Sequence, residues 1–495
     1  MPSSTVTTLQ PILKQVYEKL AQETLYDAKP LYALMPKDTK FVGENIQISL
    51  RYSPEPGGSA TFSSALANRG PSGYKRFALT RRKDYAIGSL ETELVRAAKG
   101  GNTAAVIDAM ESTIRGLRNT ALRSLCRSLY GAGGGFRAQV ASGMASSTIT
   151  LSNPKDIVWF EVGMKLDGSA ANGLSGAATA GGAAAKIVSI DRDAGTLTND
   201  GSANWNAATG INGLSANWYL FRQGDFGLTM IGLDGWVPST VSATAFFGVD
   251  RTLDSERLAG CRISPTTTGY TYSTIEGACL AILERVYMAG GAPDKIFLHP
   301  QRYKRLCDEL GAKKVYNDVK SEAGISFKGI FIEGQGGPCT VMSDPCCPRD
   351  TGWALTMDTW KLRTLGEPFS ITDDDGNAPW MREADDDAIQ IRLATYGNPS
   401  CDAPAYNGRF DLTGIALCPA AKHSPRCAPP RRTWSCSPGA SRRTGQATLS
   451  ARATRVTASA SCATVLPASG RSPSPARHSA TWSRSRWGCS STRLR

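Results

Sequence analysis

The chain offers few residues from which a catalytic site could be built. Nucleophilic catalysis needs a base beside the nucleophile, most often a histidine, and residues 1–418 contain only His299. It lies where a predicted strand meets a predicted helix, which favours a structural or capping role. The other two histidines, His423 and His478, lie in a basic C-terminal segment. We therefore predict no enzyme activity, no catalytic residues and no cofactor.

The 13 cysteines are scattered along the chain without paired spacing. Cys339, Cys346, Cys347 and Cys401 could in principle form a thiolate metal site. However, the chain has no CxxC pair, and adjacent cysteines rarely both point at one metal ion. We predict that most cysteines are reduced, buried and behave as small apolar side chains, and that the chain binds no metal.

Two clusters of three aspartates, residues 373–375 and 385–387, lie close together in the sequence. A calcium loop of the helix–loop–helix type needs glycine at position six and glutamate at position twelve. Counted from Asp373, these positions are Ala378 and Ala384, so the pattern fails. We interpret the clusters as solvated loop edges that face basic residues of another subunit, with a loose divalent-ion site as the alternative.

The net charge of +13 comes from the end of the chain. Residues 421–495 hold 14 Lys and Arg and no Asp or Glu, which leaves 42 basic and 43 acidic side chains in residues 1–420. A body with a net charge of −1 has no overall field that would draw it onto DNA. Its apolar runs are too short for a membrane span.

Residues 419–495 lack Ile, Phe, Tyr, Asn, Met, Asp and Glu altogether. Such a segment cannot bury enough apolar surface to offset the entropy lost on ordering, so we predict disorder. Two origins stay open: a genuine tail, or translation in a shifted reading frame. Its arginines, with Trp434, Trp482 and Trp487 between them, would bind nucleic acid weakly and without sequence preference.

The N-terminal elements are predicted from periodicity. Apolar residues at helical spacing predict an amphipathic helix over residues 5–28, and Pro30 and Pro36 then predict an extended connector. Residues 41–90 predict two long strands, the second over 74–87, joined by a loose tip over 53–73.

An isolated hairpin of this kind is marginal in water. We therefore expect a neighbouring subunit to cover the arm. Its candidate contact residues are Arg69, Lys75, Arg76, Arg81, Arg82 and Lys83.

An apolar stripe from Ile107 to Leu129 predicts a helix over residues 103–130, about 40 Å long. The glycines at 131 and 133–135 follow this helix, whereas nucleotide-binding loops follow a strand, and no GKS or GKT occurs. These glycines are therefore interpreted as a helix stop.

The rest of the body divides into two parts by composition. Residues 137–228, rich in Gly, Ala, Ser, Thr and Asn, predict a small all-β insertion with strands at 148–151, 186–190, 196–198 and 218–221. Residues 229–418 predict helices over 275–288 and 300–310. Predicted strands in this part are 295–298, 329–333, 339–342, 353–357, 388–395 and 408–415.

The order of these parts resembles the major capsid protein of tailed bacteriophages, the Hong Kong 97-like fold. The stretches that carry the likeness are 31–43 (start of the extended loop), 91–131 (spine helix), 232–238 and 248–251 (passage into the rest of the shell domain), 296–310 (axial strand, proline and helix) and 389–396 with Pro404 and Gly408 (return strand). They are patterns of order and spacing, and none is a catalytic signature.

The resemblance implies an α+β fold: an N-terminal arm, an extended β-hairpin loop, a long spine helix, a mixed axial domain, an inserted small all-β domain and a disordered C-terminal tail. The implied segments are 1–36 (arm), 37–90 (hairpin loop), 91–136 (peripheral domain with spine helix), 137–228 (inserted β domain), 229–264 (peripheral domain continuation), 265–388 (axial domain), 389–418 (return strand) and 419–495 (tail).

The resemblance also implies a function. Subunits would form hexamers and pentamers that tile a closed icosahedral shell around double-stranded DNA, with separate scaffolding and portal proteins as partners. The DNA would be bound without sequence specificity, and no membrane would be involved. The protein would be located in the virion, and in the host cytoplasm before assembly. Two alternatives stay open: the shell of an encapsulin-like nanocompartment, and a nucleic-acid-binding protein that uses the basic tail.

Overall fold

The structure, a computed structural model, describes residues 29–92, 109–267, 269–311, 316–320, 326–371, 381–382 and 387–416. Three predicted features lie outside these residues: the helix over 5–28, the two aspartate clusters apart from Asp387, and the tail. Helices and sheets are mixed along the described chain, so the fold class is α+β. Within the described ranges, no helix is both long enough and apolar enough to cross a membrane.

The α-helices are short apart from three. In chain order they are α1 Pro30–Leu34, α2 Phe62–Ala67, α3 Ala109–Tyr130, α4 Leu233–Trp236, α5 Ile275–Met288 and α6 Pro300–Leu310. The 3-10 helices are Pro154–Trp159, Ala183–Ala185, Arg251–Leu253, Met357–Thr359 and Pro404–Tyr406.

The strands of the described residues form four sheets. The first contains β1 Lys37–Asp38, β4 Arg82–Glu91, β17 Trp360–Thr364, β18 Ser370–Ile371, β19 Met381–Arg382 and β20 Ala388–Cys401. The second is a hairpin of β2 Asn45–Ser53 and β3 Gly73–Thr80. The third contains β5 Phe136–Ser142, β6 Thr148–Leu151, β7 Leu166–Ser169, β8 Ser189–Asp191, β9 Thr196–Thr198 and β10 Tyr219–Arg222.

The fourth sheet has seven strands and runs in the order β11–β21–β16–β12–β15–β14–β13. Its members are β11 Cys261–Ile263, β12 Lys295–Leu298, β13 Tyr316–Lys320, β14 Ser326–Gly334, β15 Gly337–Ser343, β16 Thr351–Leu355 and β21 Gly408–Asp411. Helix α5 packs against this sheet and buries Ile282 and Val286. The Thr274 side chain caps α5 by accepting from the Gly277 N–H at 3.1 Å.

Strand β20 organises the first sheet. It pairs with β4 over ten residues, from Ala388 opposite Glu91 to Gly397 opposite Arg82. Its last five residues, from Gly397 to Cys401, pair with β17. The strand is longer than the predicted 388–395 because these residues, which include Pro399, are held by partners 33 to 41 residues away in sequence.

The N-terminal region differs from the prediction in two ways. Residues 30–34 form a short helix where an extended connector was expected, because Pro30 occupies the first turn, where its missing N–H costs no hydrogen bond. The return arm is divided at Arg81: β3 pairs with β2, whereas β4 joins the first sheet. The predicted loose tip also contains helix α2.

Most elements predicted in residues 109–416 are confirmed, and several bounds are identical: β6, β9, α5, β12 and α6. The predicted helix over 103–130 is described from Ala109 onward and ends at Tyr130. Gly131, directly after it, lacks the positive φ of a glycine cap, whereas Gly133 and Gly135 further on have positive φ. Within residues 109–416, the strands that were not predicted are β5, β7, β11, β13, β17, β18 and β19. The domain boundaries drawn from the resemblance stay predictions.

Candidate functional site

The surface that the sequence singled out is the β2–β3 hairpin, and its base is anchored by this chain itself. Phe77 and Leu79 are fully buried. The Phe77 ring lies 5.4 Å from the ring of Trp236 and 6.3 Å from that of Phe246, centroid to centroid. The Ala78 N–H donates to the Phe247 carbonyl at 2.9 Å. The expectation that the whole hairpin needs a neighbour to cover it is therefore wrong for its base.

Two of the six predicted contact residues contribute to this anchoring. Arg81 lies over the Phe41 ring, 5.5 Å from its centroid, and donates to the Phe41 carbonyl at 3.4 Å. Arg82 donates to the Gly227 carbonyl at 3.0 Å. Both side chains are partly buried. They hold the joint between the hairpin and the first sheet within one subunit.

The other four basic residues are more accessible. Arg69, Arg76 and Lys83 are exposed, and Lys75 is half-buried. Hydrogen bonds from Thr252 lower the pKa of Asp250, and the charge of Lys75 adds to this shift. The structure thus divides the predicted set into an anchoring pair and an accessible group. Contact of any of them with another subunit stays a prediction.

The tip of the hairpin carries a feature that the sequence analysis missed. Helix α2 buries none of its residues, and its Phe62 and Leu66 side chains are 83% and 49% exposed. Residues four apart on a helix lie on one face, so the two side chains form a small apolar surface. The signal was present in the sequence as the i, i+4 pair within the segment Phe-Ser-Ser-Ala-Leu-Ala.

A buried carboxylate fixes the start of the described chain to the body. Asp344 accepts hydrogen bonds from the Leu31 N–H at 3.2 Å, the Tyr130 hydroxyl at 2.9 Å and the Cys346 N–H at 2.8 Å. Burial raises the pKa of Asp344, and these hydrogen bonds oppose that shift. The junction connects α1, the end of α3 and the loop after β15.

His299 has the capping role predicted for it. Its Nδ1 accepts from the Gln301 N–H at 3.2 Å at the start of α6. Burial, assisted by the Arg349 charge, lowers the pKa of His299 to about 4, so the ring is neutral near pH 7. An imidazole whose Nδ1 is used in a helix cap is not arranged as a general base with a nucleophile.

The cysteines discussed as a metal site are buried thiols. Burial raises the pKa of Cys339 and of Cys401 to about 12, which disfavours the thiolate that metal binding requires. Cys346 and Cys347 are also buried. In the described part of the chain, no group of three or more His, Cys, Asp or Glu side chains could hold a metal ion. The aspartate clusters proposed as a loose divalent-ion site lie almost entirely outside it.

The segment that follows the third sheet (β5 to β10) lies in close backbone contact with the end of α3. Gly232 passes the end of α3 so tightly that a Cβ atom there would lie 1.9 Å from the Leu129 carbonyl oxygen. Helix α4 follows, and its Trp236 donates to the Pro399 carbonyl at 3.0 Å. Arg251 donates to the Gly235 carbonyl at 2.8 Å. This segment, residues 232–251, therefore supports the base of the hairpin and is called the supporting segment below.

Comparison with known proteins finds one matching family model and solved structures of similar fold. Residues 223–375 match the family model described as the SU10 major capsid protein. This match includes the supporting segment, the fourth sheet up to β16, and α5 and α6. No curated protein sequence matches the chain.

Among solved structures, the chain is similar to a subunit of the cyanophage A-1(L) capsid asymmetric unit, with 12% identity, 82% of this chain and 99% of that chain covered, and a TM-score of 0.50. Matches of lower TM-score, each covering 99–100% of the other chain, include the capsid of a native GTA particle (7% identity, 83% of this chain, TM-score 0.42) and the holo-SrpI encapsulin complex from Synechococcus elongatus (9%, 86%, 0.42). The family match and the cyanophage capsid fold confirm the resemblance to tailed-phage major capsid proteins.

Proposed function

We propose that this chain is the major capsid protein of a tailed phage and self-assembles into the shell of the virion. The observation that carries the proposal is the family match over residues 223–375, on a chain that shares its fold with a phage capsid subunit over 82% of its length. The arrangement of the hairpin fits the same role, because an anchored base presents an apolar tip that the chain itself leaves exposed.

The hairpin is the contact arm in this proposal. Phe62 and Leu66 of one subunit dock on a neighbouring copy, since exposed aromatic and aliphatic side chains are typical anchors of protein interfaces. Arg69, Lys75, Arg76 and Lys83 meet acidic groups of that neighbour, which adds specificity more than affinity. Arg81 and Arg82 contribute by bracing the arm against its own body.

The finer parts of the proposal follow from the family. Subunits form hexamers and pentamers, assembly involves separate scaffolding and portal proteins, and the shell holds double-stranded DNA without sequence specificity. The protein resides in the host cytoplasm before assembly, and it has no enzyme activity. The segment around the β5–β10 sheet is an inserted domain, and residues 419–495 are a tail or a frameshift product. No observation on the described residues favours a cargo-holding compartment or a tail-driven nucleic-acid binder.

The test compares assembly of the full chain with that of a tip variant, Phe62→Ser with Leu66→Ser. Both changes remove apolar surface that the isolated subunit already exposes, so the monomer should keep its melting temperature. By electron microscopy and light scattering, the unchanged protein should form closed shells or capsomer rings. The tip variant should need at least tenfold higher concentration to do so.

A matched control replaces two exposed apolar residues away from the hairpin, Val162→Ser with Leu174→Ser, which are 65% and 57% exposed. This control should assemble as the unchanged protein does. A chain that stays monomeric at every concentration, with and without scaffolding protein, would refute the shell function. Normal assembly of the tip variant would refute the docking role of α2 alone.

A further inference from the structure

A cavity of about 270 Å³ lies on the body, away from the hairpin. It is enclosed by α3, the start of α6, the 3-10 helix Pro154–Trp159, the loop after β15 and the residue before α1. Its lining is strongly cationic, and the positive side chains are Lys29, Arg123, Arg127, Lys155 and Arg349. Asp156 is the carboxylate among the lining residues.

Part of this charge is neutralised within the chain. Arg123 forms an ion pair with Glu161, and Arg349 shares Asp350 with Arg302, at 2.8 and 2.7 Å. Asp156 offsets one further charge. The lining therefore retains an excess of at least two positive charges, on Lys29, Arg127 and Lys155 taken together.

Arg127 is held in a way that leaves its hydrogen-bond donors unused. Its guanidinium lies 5.1 Å from the Trp159 ring centroid and 5.7 Å from that of Phe136. Two aromatic faces fix the position of a guanidinium but accept none of its in-plane N–H groups. Within the described part of the chain, neither Arg127 nor Lys155 has a hydrogen bond or ion pair through its cationic group. Burial without such a partner lowers the pKa of Arg127.

The start of α6 adds further polar groups to the same wall. Because Nδ1 of His299 accepts a hydrogen bond, the proton of the neutral ring is on Nε2, which is a donor. The first turn of an α-helix also favours a negative charge. The Gln301 side-chain oxygen, in contrast, is buried and has no hydrogen-bond partner.

We propose that this cavity is a binding site for a phosphate dianion, with Arg127, Lys155 and Lys29 supplying the charge and His299 a further hydrogen bond. Hydrogen phosphate, a dianion, suits an excess of at least two positive charges. A bound phosphate ties together four elements that are far apart in sequence, including the residue that precedes α1. The site is independent of the hairpin and of the shell function proposed above.

Isothermal titration calorimetry on the full chain tests this site. Sodium phosphate is titrated into protein in chloride at constant ionic strength, so that general screening does not change. One phosphate should bind per chain. Lys155→Ala should weaken binding about fivefold, as expected for one exposed charge. Arg127→Gln, which keeps much of the side chain, should weaken it more than tenfold.

Lys155 is exposed, so its replacement leaves the fold intact, and Lys165→Ala, also exposed but outside the cavity, is the matched control. The control should bind phosphate as the unchanged protein does. Equal affinity in all three variants, or no saturable binding at all, would overturn the proposal. A second titration uses a short single-stranded DNA with and without a 5′-phosphate. Binding that needs Lys155 and occurs with either DNA, but not with free phosphate, would assign the cavity to nucleic acid and overturn the phosphate site.

Discussion

Replacing Phe77 with alanine should release the hairpin from the body of the subunit. Phe77 is fully buried and contacts the rings of Trp236 and Phe246. Truncating a buried phenylalanine costs about 3–5 kcal/mol, and the lost aromatic contacts lie within that range. We expect a loss of about 4 kcal/mol in the free energy that holds the hairpin base in place.

Two measurements follow this loss. Hydrogen exchange at the Ala78 amide, which donates to the Phe247 carbonyl, should accelerate by about a thousandfold, because each 1.4 kcal/mol corresponds to a factor of ten. The urea midpoint of the unassembled protein should also fall, since the hairpin base packs in the same apolar cluster as Trp236.

The matched control is the same substitution at the other end of the same hairpin. Phe62 is 83% exposed, so Phe62→Ala should change the stability of the unassembled protein by no more than about 0.5 kcal/mol. It should instead impair assembly, because burying a phenylalanine in an interface contributes about 1.5–3 kcal/mol. Unchanged exchange at Ala78 in the Phe77 variant would show that the hairpin is not held by this chain, and the anchoring argument would be wrong.

Two further predictions concern the body. The pKa of His299 is about 4 in the folded chain, against about 6.5 for a histidine in an unfolded chain. Its stabilising contribution is therefore complete above about pH 6.5 and declines as the pH falls towards 4, by about 3 kcal/mol in all. His299→Asn keeps a capping side chain and should remove this slope from urea midpoints measured between about pH 4 and pH 7; an unchanged slope would contradict the assignment. Gly232→Ala places a Cβ 1.9 Å from the Leu129 carbonyl oxygen and should sharply lower the yield of soluble, cooperatively melting protein. Gly58→Ala, with no atom within 4 Å of its Cβ, should melt as the unchanged protein does.

The sequence was informative wherever a local signal and the tertiary structure agree. Helix α5 was predicted to the residue because Thr274 caps it and apolar residues recur at helical spacing up to Met288. Helix α6 was also predicted to the residue, because His299 caps its start and Gly311, at positive φ, follows its end. In both cases the residues that begin and end the helix lie next to it in sequence.

The sequence was misleading where pairing between distant segments decides the structure. Nothing local shows that the return arm changes partner at Arg81, because β4 is held by β20, some 300 residues later. Residues 397–401 lie beyond the predicted strand 388–395, but they continue β20 because β17 pairs with them. Strand β5 was not predicted because its composition alone does not favour a strand. Pairing with β6 and β10 makes it one.

The candidate surface on the hairpin was predicted only in part, because contacts between distant segments again decide the outcome. Sequence alone identifies a basic arm, but it cannot tell which guanidinium groups turn back to carbonyls of their own chain. Arg81 and Arg82 do so, at Phe41 and Gly227. The exposed pair on α2 was overlooked because a segment rich in Gly, Ser and Pro was read as a loose tip.

The joint at Arg81 also sets how the subunit carries load. A single residue separates β3 from β4. A force on the hairpin tip is therefore transmitted along the backbone directly to the ten-residue ladder between β4 and β20. Tension along β4 loads the hydrogen bonds of that ladder side by side in shear, and none of them has to yield alone. A force on the tip of an assembled subunit would thus be distributed over all the hydrogen bonds between β4 and β20.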